Sequence, residues 1–129
     1  MSIDPAQSRL IALVERYFDA VDRMDLAATP ACFEPDARFA IATYDSVFEG
    51  RDTGIRGMFE RLHARYAWVW HGNFDHVVQA PHRIASRFRV ENTLFDGTTR
   101  VKNNCNFFTL HGDRFAAVYV YMSGDNSLQ

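Results

Sequence analysis

The chain has 129 residues, of which 47% are hydrophobic and 23% are charged, values typical of one folded domain and not of a disordered segment. Its formal net charge of −2 gives no electrostatic reason to bind nucleic acid or an anionic membrane surface. The longest apolar run, residues 115–122, is far shorter than the roughly 20 residues that a membrane-spanning helix needs.

The first predicted element is an amphipathic helix over residues 5–23. Asp4 is a good N-cap acceptor, and Pro5 suits the first helical position because its missing N–H costs nothing there. The apolar residues that follow share one face at helical spacing. They are Leu10, Leu13, Val14, Tyr17, Phe18 and Val21.

Shorter elements are expected next. Asp25 is the expected N-cap of a second helix through Phe33, which residues 34–36, Glu-Pro-Asp, are expected to end. Residues 37–44 then predict a strand, with residues 47–49 as its short hairpin partner. After a turn at residues 50–54, a buried stripe from Ile55 to Tyr66 predicts a third helix that ends near residues 68–70.

The rest of the chain predicts four strands, because it is rich in β-branched and aromatic residues. They cover residues 73–79, 82–95, 100–110 and 115–123, and turn sequences such as Asp96-Gly97 separate them. Short turns join antiparallel strands. Helices first and a curved, mainly antiparallel sheet last is an α+β pattern, in a single domain over residues 1–129.

Five stretches carry a family resemblance over nearly the whole chain. They are Glu-Arg-Tyr-Phe-Asp-Ala-Val at 15–21, Cys-Phe-Glu-Pro-Asp-Ala-Arg-Phe at 32–39, Trp-His-Gly at 70–72, Asp-Gly at 96–97 and Val-Tyr-Val-Tyr-Met-Ser-Gly at 118–124. Together they resemble the NTF2-like superfamily, in the branch that holds SnoaL-like proteins, ketosteroid isomerase and scytalone dehydratase. The resemblance implies a cystatin-like cone in which three helices pack on a strongly curved sheet and enclose an apolar pocket.

Such a pocket suits a small, hydrophobic organic ligand that carries a ketone. The side chains expected to line it are Tyr17, Phe39, Ile41, Phe59, Trp70, Phe108, Val118 and Val120. This fold hosts several kinds of enzyme and also proteins that only bind or dimerise, so the fold alone does not select between these functions.

Tyr17 and two asparagines are the candidates to polarise a carbonyl group. By resemblance, Tyr17 stands where ketosteroid isomerases keep a tyrosine that donates a hydrogen bond to the substrate oxygen. Asn106 stands where they carry a protonated aspartic acid, the second donor to that oxygen. Strand alternation places Asn104 on the same face as Asn106. The alternative interpretations are a core tyrosine in an apolar stripe and amides that are satisfied by a neighbouring strand or by water.

His71 and Asp22 are the candidates for proton transfer. By resemblance, His71 stands where scytalone dehydratase-like proteins keep a catalytic histidine, although a histidine at the end of the third helix needs no catalytic role. Asp22 matches an acidic residue of the same group. Its position about 140° around the helix from Tyr17 places it at or beyond the edge of the apolar face, which argues against a role in the pocket.

Ile41 is the main departure from the family pattern. It occupies the strand position that supplies the general-base aspartate in ketosteroid isomerase and a tyrosine in scytalone dehydratase. The second histidine of the dehydratase pattern is also missing, with Ser86 the nearest residue, and His76 is expected on the solvent face of its strand. We therefore expect that steroid isomerisation by the family mechanism is absent.

No cofactor or metal is expected, because the sequence lacks a glycine-rich phosphate loop, a serine nucleophile elbow and a metal-spaced cluster. Cys32 and Cys105 are expected to be reduced, buried residues. Residues 1–5 lack the features of a secretory signal, so a cytoplasmic location is expected.

Two functions are compatible with these patterns. One is a cofactor-independent isomerase, cyclase or dehydratase, and the other is a non-catalytic ligand-binding or dimerisation module. Aromatic residues on both faces of the last strands also predict a homodimer formed through the sheet.

Overall fold

The computed structural model describes residues 4–129. Residues 1–3, on which the predicted location partly depends, lie outside the described residues. Helix α1 covers Pro5–Asp22 and begins as predicted, since the Ala6 amide donates to Asp4 Oδ1 at 2.9 Å. Helix α2 covers Ala28–Ala31 and helix α3 covers Arg56–Arg65. No helix among residues 4–129 is both long and apolar enough to cross a membrane.

The six strands form one curved, mixed sheet in the order β2-β1-β6-β5-β4-β3. Neighbouring strands are antiparallel except for β1 and β6, which are parallel. The strands are β1 Phe33–Ile41, β2 Ser46–Glu49, β3 Tyr66–Gln79, β4 Arg83–Leu94, β5 Thr99–His111 and β6 Arg114–Met122. This architecture confirms the predicted α+β cone with three helices.

The second helix is shorter than predicted. Asp25 does accept hydrogen bonds at its start, from the amides of Ala27 and Ala28 at 3.0 and 2.8 Å, but α2 ends at Ala31 and β1 begins at Phe33. Pro35 is tolerated inside β1 because the pairing with β6 is irregular between Phe33 and Arg38, so no regular ladder bond is lost.

The third helix also ends earlier than predicted, at Arg65. Tyr66 already lies in β3, where the following aromatic residues pair with β4. In the sheet these aromatic side chains pack against neighbours that the end of a helix would not provide. Pairing with β4 therefore overrides the helical pattern of the sequence in this segment. His71 therefore lies within a strand, opposite Val90, and is not a histidine of a helix terminus.

The core lies between the helices and the inner face of the sheet. Along β4 and β5 alternate residues are buried, and the residues between them point outward. Several of the buried positions are polar and form the inner-face set from which the candidate site is built: Ser86, Asn92, Lys102, Asn104 and Asn106.

Candidate functional site

Asp22 and His71 form the shortest carboxylate–imidazole contact among the described residues. Asp22 Oδ1 lies 2.6 Å from His71 Nδ1, and Asp22 Oδ2 accepts a hydrogen bond from the His71 backbone amide at 3.0 Å. Their side chains are 21% and 12% exposed, so water screens this pair only partly. Because a carboxylate only accepts, Asp22 assigns the proton to Nδ1 and leaves Nε2 as the basic nitrogen of the neutral ring.

Asp22 does not line the cavity, in agreement with its predicted position at the edge of the apolar face, but it reaches His71 without sharing the Tyr17 stripe. Asp22 follows Phe18 by four residues, so the two side chains lie on one face of α1. That face packs on β3, where the Phe18 ring lies 4.8 Å from the His71 ring at an angle of 30°. Phe18 thus packs on the ring of His71, and Asp22 holds its Nδ1.

Asn104 and Asn106 face the interior, as strand alternation predicts. They are 7% and 3% exposed, whereas Asn103 and Phe107, which flank the pair, are exposed, and Cys105 between them is partly buried. Within residues 4–129, Oδ1 of Asn104 and Oδ1 of Asn106 are buried and have no hydrogen-bond partner. A buried amide oxygen without a partner is costly, so both amides are equipped to bind a polar group of a guest molecule.

Tyr17 lies in the middle of an aromatic cluster and is 3% exposed. Its ring packs edge-on against the rings of Phe33, Phe59 and Phe115, at centroid distances of 5.6, 6.2 and 5.3 Å. Burial raises the pKa of the Tyr17 phenol well above its usual value, with smaller contributions from Cys32 and Asp22. The phenol therefore keeps its proton and can act as a hydrogen-bond donor.

A small cavity of about 30 Å³ connects these groups. Of the residues named from the sequence, its walls contain Tyr17, Phe39, Phe59, His71, Asn104, Asn106 and Val120. Five further lining residues were not predicted: Phe18, Val21, Leu62, Phe88 and Leu128. Helical spacing and strand alternation would have found the first four, whereas no sequence pattern indicates that Leu128 returns to the core.

Four predicted lining residues lie elsewhere. Trp70 precedes His71 in a strand, so its side chain points to the opposite face, where its ring covers Gly72. Phe108 and Val118 are buried one inward-facing position further along their strands, where aromatic rings fill the space. Ile41 is fully buried beside Val120 on the neighbouring strand, in the packed core.

A second histidine points inward, contrary to the prediction that His76 lies on the solvent face. His76 Nδ1 lies 2.7 Å from Ser86 Oγ, and His76 Nε2 lies 2.8 Å from Glu15 Oε2. Its side chain is only 8% exposed. This chain of three polar groups lies beside the cavity wall, since Ser86 is directly opposite Asn106 in the sheet.

A bulge in β3 explains why both histidines face inward although they are five positions apart in the strand, a spacing that would place them on opposite faces. Between Gly72 and Asp75 the pairing with β4 shifts, and Asn73 adopts a left-handed conformation with φ of 57°. The extra residue reverses the alternation, so His71 and His76 point to the same side of the sheet. The sequence carries no clear signal for this bulge.

Residues 4–129 contain no group of three or more His, Cys, Asp or Glu side chains arranged to hold a metal ion. Both cysteines are free. Cys32 is buried, whereas Cys105 is only partly buried and so differs from the prediction. Burial raises the pKa of each thiol, which keeps both in the less reactive protonated form.

Comparison with solved structures places the fold. The chain resembles a proposed polyketide cyclase from Xanthomonas campestris pv. campestris (18% identity, TM-score 0.81, 90% of this chain and 91% of the other). It also resembles an NTF2-like protein from Anabaena variabilis (13%, 0.80, 98% and 97%) and a protein with a ketosteroid isomerase-like fold from Catenulispora acidiphila (14%, 0.76, 84% and 83%).

These identities are low and establish the NTF2-like fold alone. No curated protein matches the sequence significantly. The model of the SnoaL-like domain, however, matches residues 14–118, which is most of the chain and runs from the second half of α1 into β6. The chain therefore belongs to the SnoaL-like domain family.

Proposed function

We propose that the protein is a proton-transfer enzyme, an isomerase, cyclase or dehydratase, that acts on a ketone-bearing organic substrate without a cofactor. The observation that carries the proposal is the 2.6 Å contact between Asp22 and His71, because His71 lines a cavity together with two asparagines whose amide oxygens have no partner among residues 4–129. Family membership and the proposed polyketide cyclases among its structural neighbours support the same class of chemistry.

In the proposed reaction, His71 Nε2 removes a proton from the carbon next to the substrate carbonyl. Asp22 holds Nδ1–H and stabilises the imidazolium that forms. Tyr17, whose phenol keeps its proton, and the Nδ2 group of Asn104 or Asn106 donate to the carbonyl oxygen, which becomes an enolate. The unpartnered Oδ1 atoms of these amides are acceptors for a hydroxyl group of the substrate. Return of this proton from His71 to another carbon gives isomerisation. Attack of the enolate carbon on a second carbonyl gives cyclisation, with the His71 proton passing to the new alkoxide oxygen. Loss of a β-hydroxyl, which leaves as water after taking the His71 proton, gives dehydration.

The test is exchange of the α-protons of aryl and polycyclic ketones with D2O, followed by NMR. His71→Gln should lower the protein-dependent exchange rate by about 10²-fold or more, the usual scale for one acid/base group. His111→Gln is the control, because the His111 side chain is 85% exposed and lies in another part of the sheet. Unchanged exchange in His71→Gln would remove His71 from the mechanism.

The second candidate function is a non-catalytic binding module. One observation favours it: Ile41, at the strand position where the family resemblance implies a general base, carries an alkyl side chain that cannot act as one. A protein that binds a ketone with micromolar affinity and never accelerates its exchange would support this alternative.

We also propose that two copies associate through the outer face of the sheet. Four large apolar side chains project from this face: Val77, Phe107, Tyr119 and Tyr121, which are 71%, 43%, 38% and 49% exposed. They line a surface concavity of about 420 Å³, an apolar patch of the kind that marks protein interfaces.

A further inference from the structure

The size of the cavity requires that one of its walls moves before an organic ligand can enter. About 30 Å³ accommodates little more than one water molecule. Most of the walls belong to α1, α3 and the sheet, which pack on each other through the hydrophobic core. Leu128 is different, because it belongs to residues 123–129, which follow β6 and which we name the C-terminal strap.

The near end of the strap is clamped by Lys102, the only lysine in the chain. Lys102 is 2% exposed, and its Nζ donates to the Ser123 carbonyl at 2.7 Å and also to the Asp125 carbonyl. Asp125 Oδ1 lies 3.2 Å from the same nitrogen. Tyr44 Oη adds a hydrogen bond to the Gly124 carbonyl.

The far end of the strap is held by longer hydrogen bonds, although Ser127 is only 4% exposed. Arg65 Nη1 donates to the Ser127 carbonyl and Arg61 Nε donates to the Gln129 carbonyl, both at 3.4 Å, the long limit of a hydrogen bond. Leu128 is partly buried and packs on the core as part of the cavity wall. The contact that closes the cavity is therefore made by the less firmly attached half of the strap.

We propose that the C-terminal strap is the gate of the cavity, with Lys102 as its anchor and Leu128 as its plug. When residues 126–129 leave the core, the volume of the Leu128 side chain joins the cavity and opens a path from solvent to His71. Leu128 thus limits the size of the ligand that binds to the closed protein. The proposal rests on the proposed function only in taking this cavity as the ligand site.

Binding of 2-naphthol, followed by its fluorescence, tests the plug. If the strap is open in a tenth of the molecules or fewer, the apparent affinity of the unmodified protein is reduced at least tenfold. Leu128→Ala removes the free-energy cost of opening the strap, so it should bind the probe at least about tenfold more tightly. Leu128→Met keeps the plug and should bind like the unmodified protein. Phe107→Glu should leave the Leu128→Ala gain intact, which excludes binding in the concavity on the outer face.

Hydrogen exchange, followed by mass spectrometry, tests the anchor. Tyr44→Phe and Lys102→Met should each speed amide exchange in residues 124–129 while exchange in β4 and β5 stays unchanged. Equal probe affinity in Leu128→Ala and the unmodified protein, or unchanged strap exchange in both anchor variants, would overturn the proposal. Neither readout needs catalysis, so failure of the proposed reaction is distinguishable from failure of the gate.

Discussion

His71 owes its orientation to two neighbours on α1 that lie four residues apart. Phe18 packs on the imidazole ring, and Asp22 binds both its Nδ1 and its backbone amide. A histidine that is held at two points loses little conformational entropy when a substrate binds. Folding therefore already supplies part of the entropy loss that orienting a base requires. This arrangement is what distinguishes His71 from a histidine that only fills a strand position.

His63 provides a prediction at the same scale. Both of its ring nitrogens are buried without a hydrogen-bond partner among residues 4–129. Burial lowers its pKa below the ordinary value of about 6.5, and the nearby Val21 carbonyl opposes this shift only in part.

Since the folded protein holds His63 neutral, the unfolded chain binds more protons as the pH falls below about 6.5, and stability must decrease in that direction. We expect the free energy of unfolding, measured in urea, to fall between pH 7.5 and pH 5, and to fall less in His63→Gln. Parallel pH profiles for the two proteins would show that His63 titrates in the fold as it does in the unfolded chain.

Residue positions were predictable from the sequence wherever the local repeat was regular. Alternation along β5 placed Asn104 and Asn106 inside, and helical spacing placed Tyr17 in the core. His76 was misplaced because the bulge near Asn73 reverses the alternation, and a bulge depends on pairing with a distant strand.

At the scale of elements, α1 and β3 are joined by two carboxylate–imidazole pairs. Glu15 and Asp22 lie seven residues apart, two turns of helix, and so face the same strand. Glu15 binds His76 and Asp22 binds His71. The rings of Phe18 and Phe74, 5.3 Å apart, fill the space between the pairs.

The two partners of His76 should differ in their effect on stability. Ser86 is fully buried, so Ser86→Ala leaves His76 Nδ1 without a partner and should cost about 1–3 kcal/mol. The Glu15 side chain is 48% exposed, so Glu15→Ala should cost at most about 1 kcal/mol.

Urea denaturation of both variants measures this order. A larger loss of unfolding free energy for Glu15→Ala than for Ser86→Ala would mean that the contact with Glu15, and not the one with the buried Ser86 hydroxyl, holds His76 in place.

The boundaries of elements were less predictable than their existence. All three helices and the β1–β2 hairpin occur where the sequence placed them, but the third helix ends at Arg65 and not near residues 68–70. The aromatic residues there satisfy a helical stripe and a strand about equally well, and only pairing with β4 selects the strand.

For the whole molecule, the outer face of the sheet raises the question of assembly. This face carries a contiguous apolar patch, unlike the single exposed apolar residues that any surface has. The patch consists of Val77, Phe107, Tyr119 and Tyr121, and the rings of Phe107 and Tyr121 pack edge-on at 5.9 Å. Alternation along β5 predicts that Phe107 points outward, whereas Val77 points outward because of the bulge in β3.

A charge in the middle of this face should break the proposed dimer. Phe107→Glu should sediment as a monomer at micromolar concentration, whereas the unmodified protein should sediment as a dimer. Phe95→Glu is the matched control, because Phe95 is 70% exposed in the turn after β4 and lies outside the concavity. A monomer for the unmodified protein would reject assembly through this face.

The measurement that tests the central claim most directly is the protonation of His71, read from the ring nitrogen chemical shifts of ¹⁵N-labelled protein. The Asp22 carboxylate predicts that the neutral ring carries its proton on Nδ1, and that Asp22→Ala shifts the ring towards the Nε2–H form that dominates in solution. A neutral His71 protonated on Nε2, or a tautomer that does not respond to Asp22→Ala, would contradict the acid/base pair on which the proposed function depends.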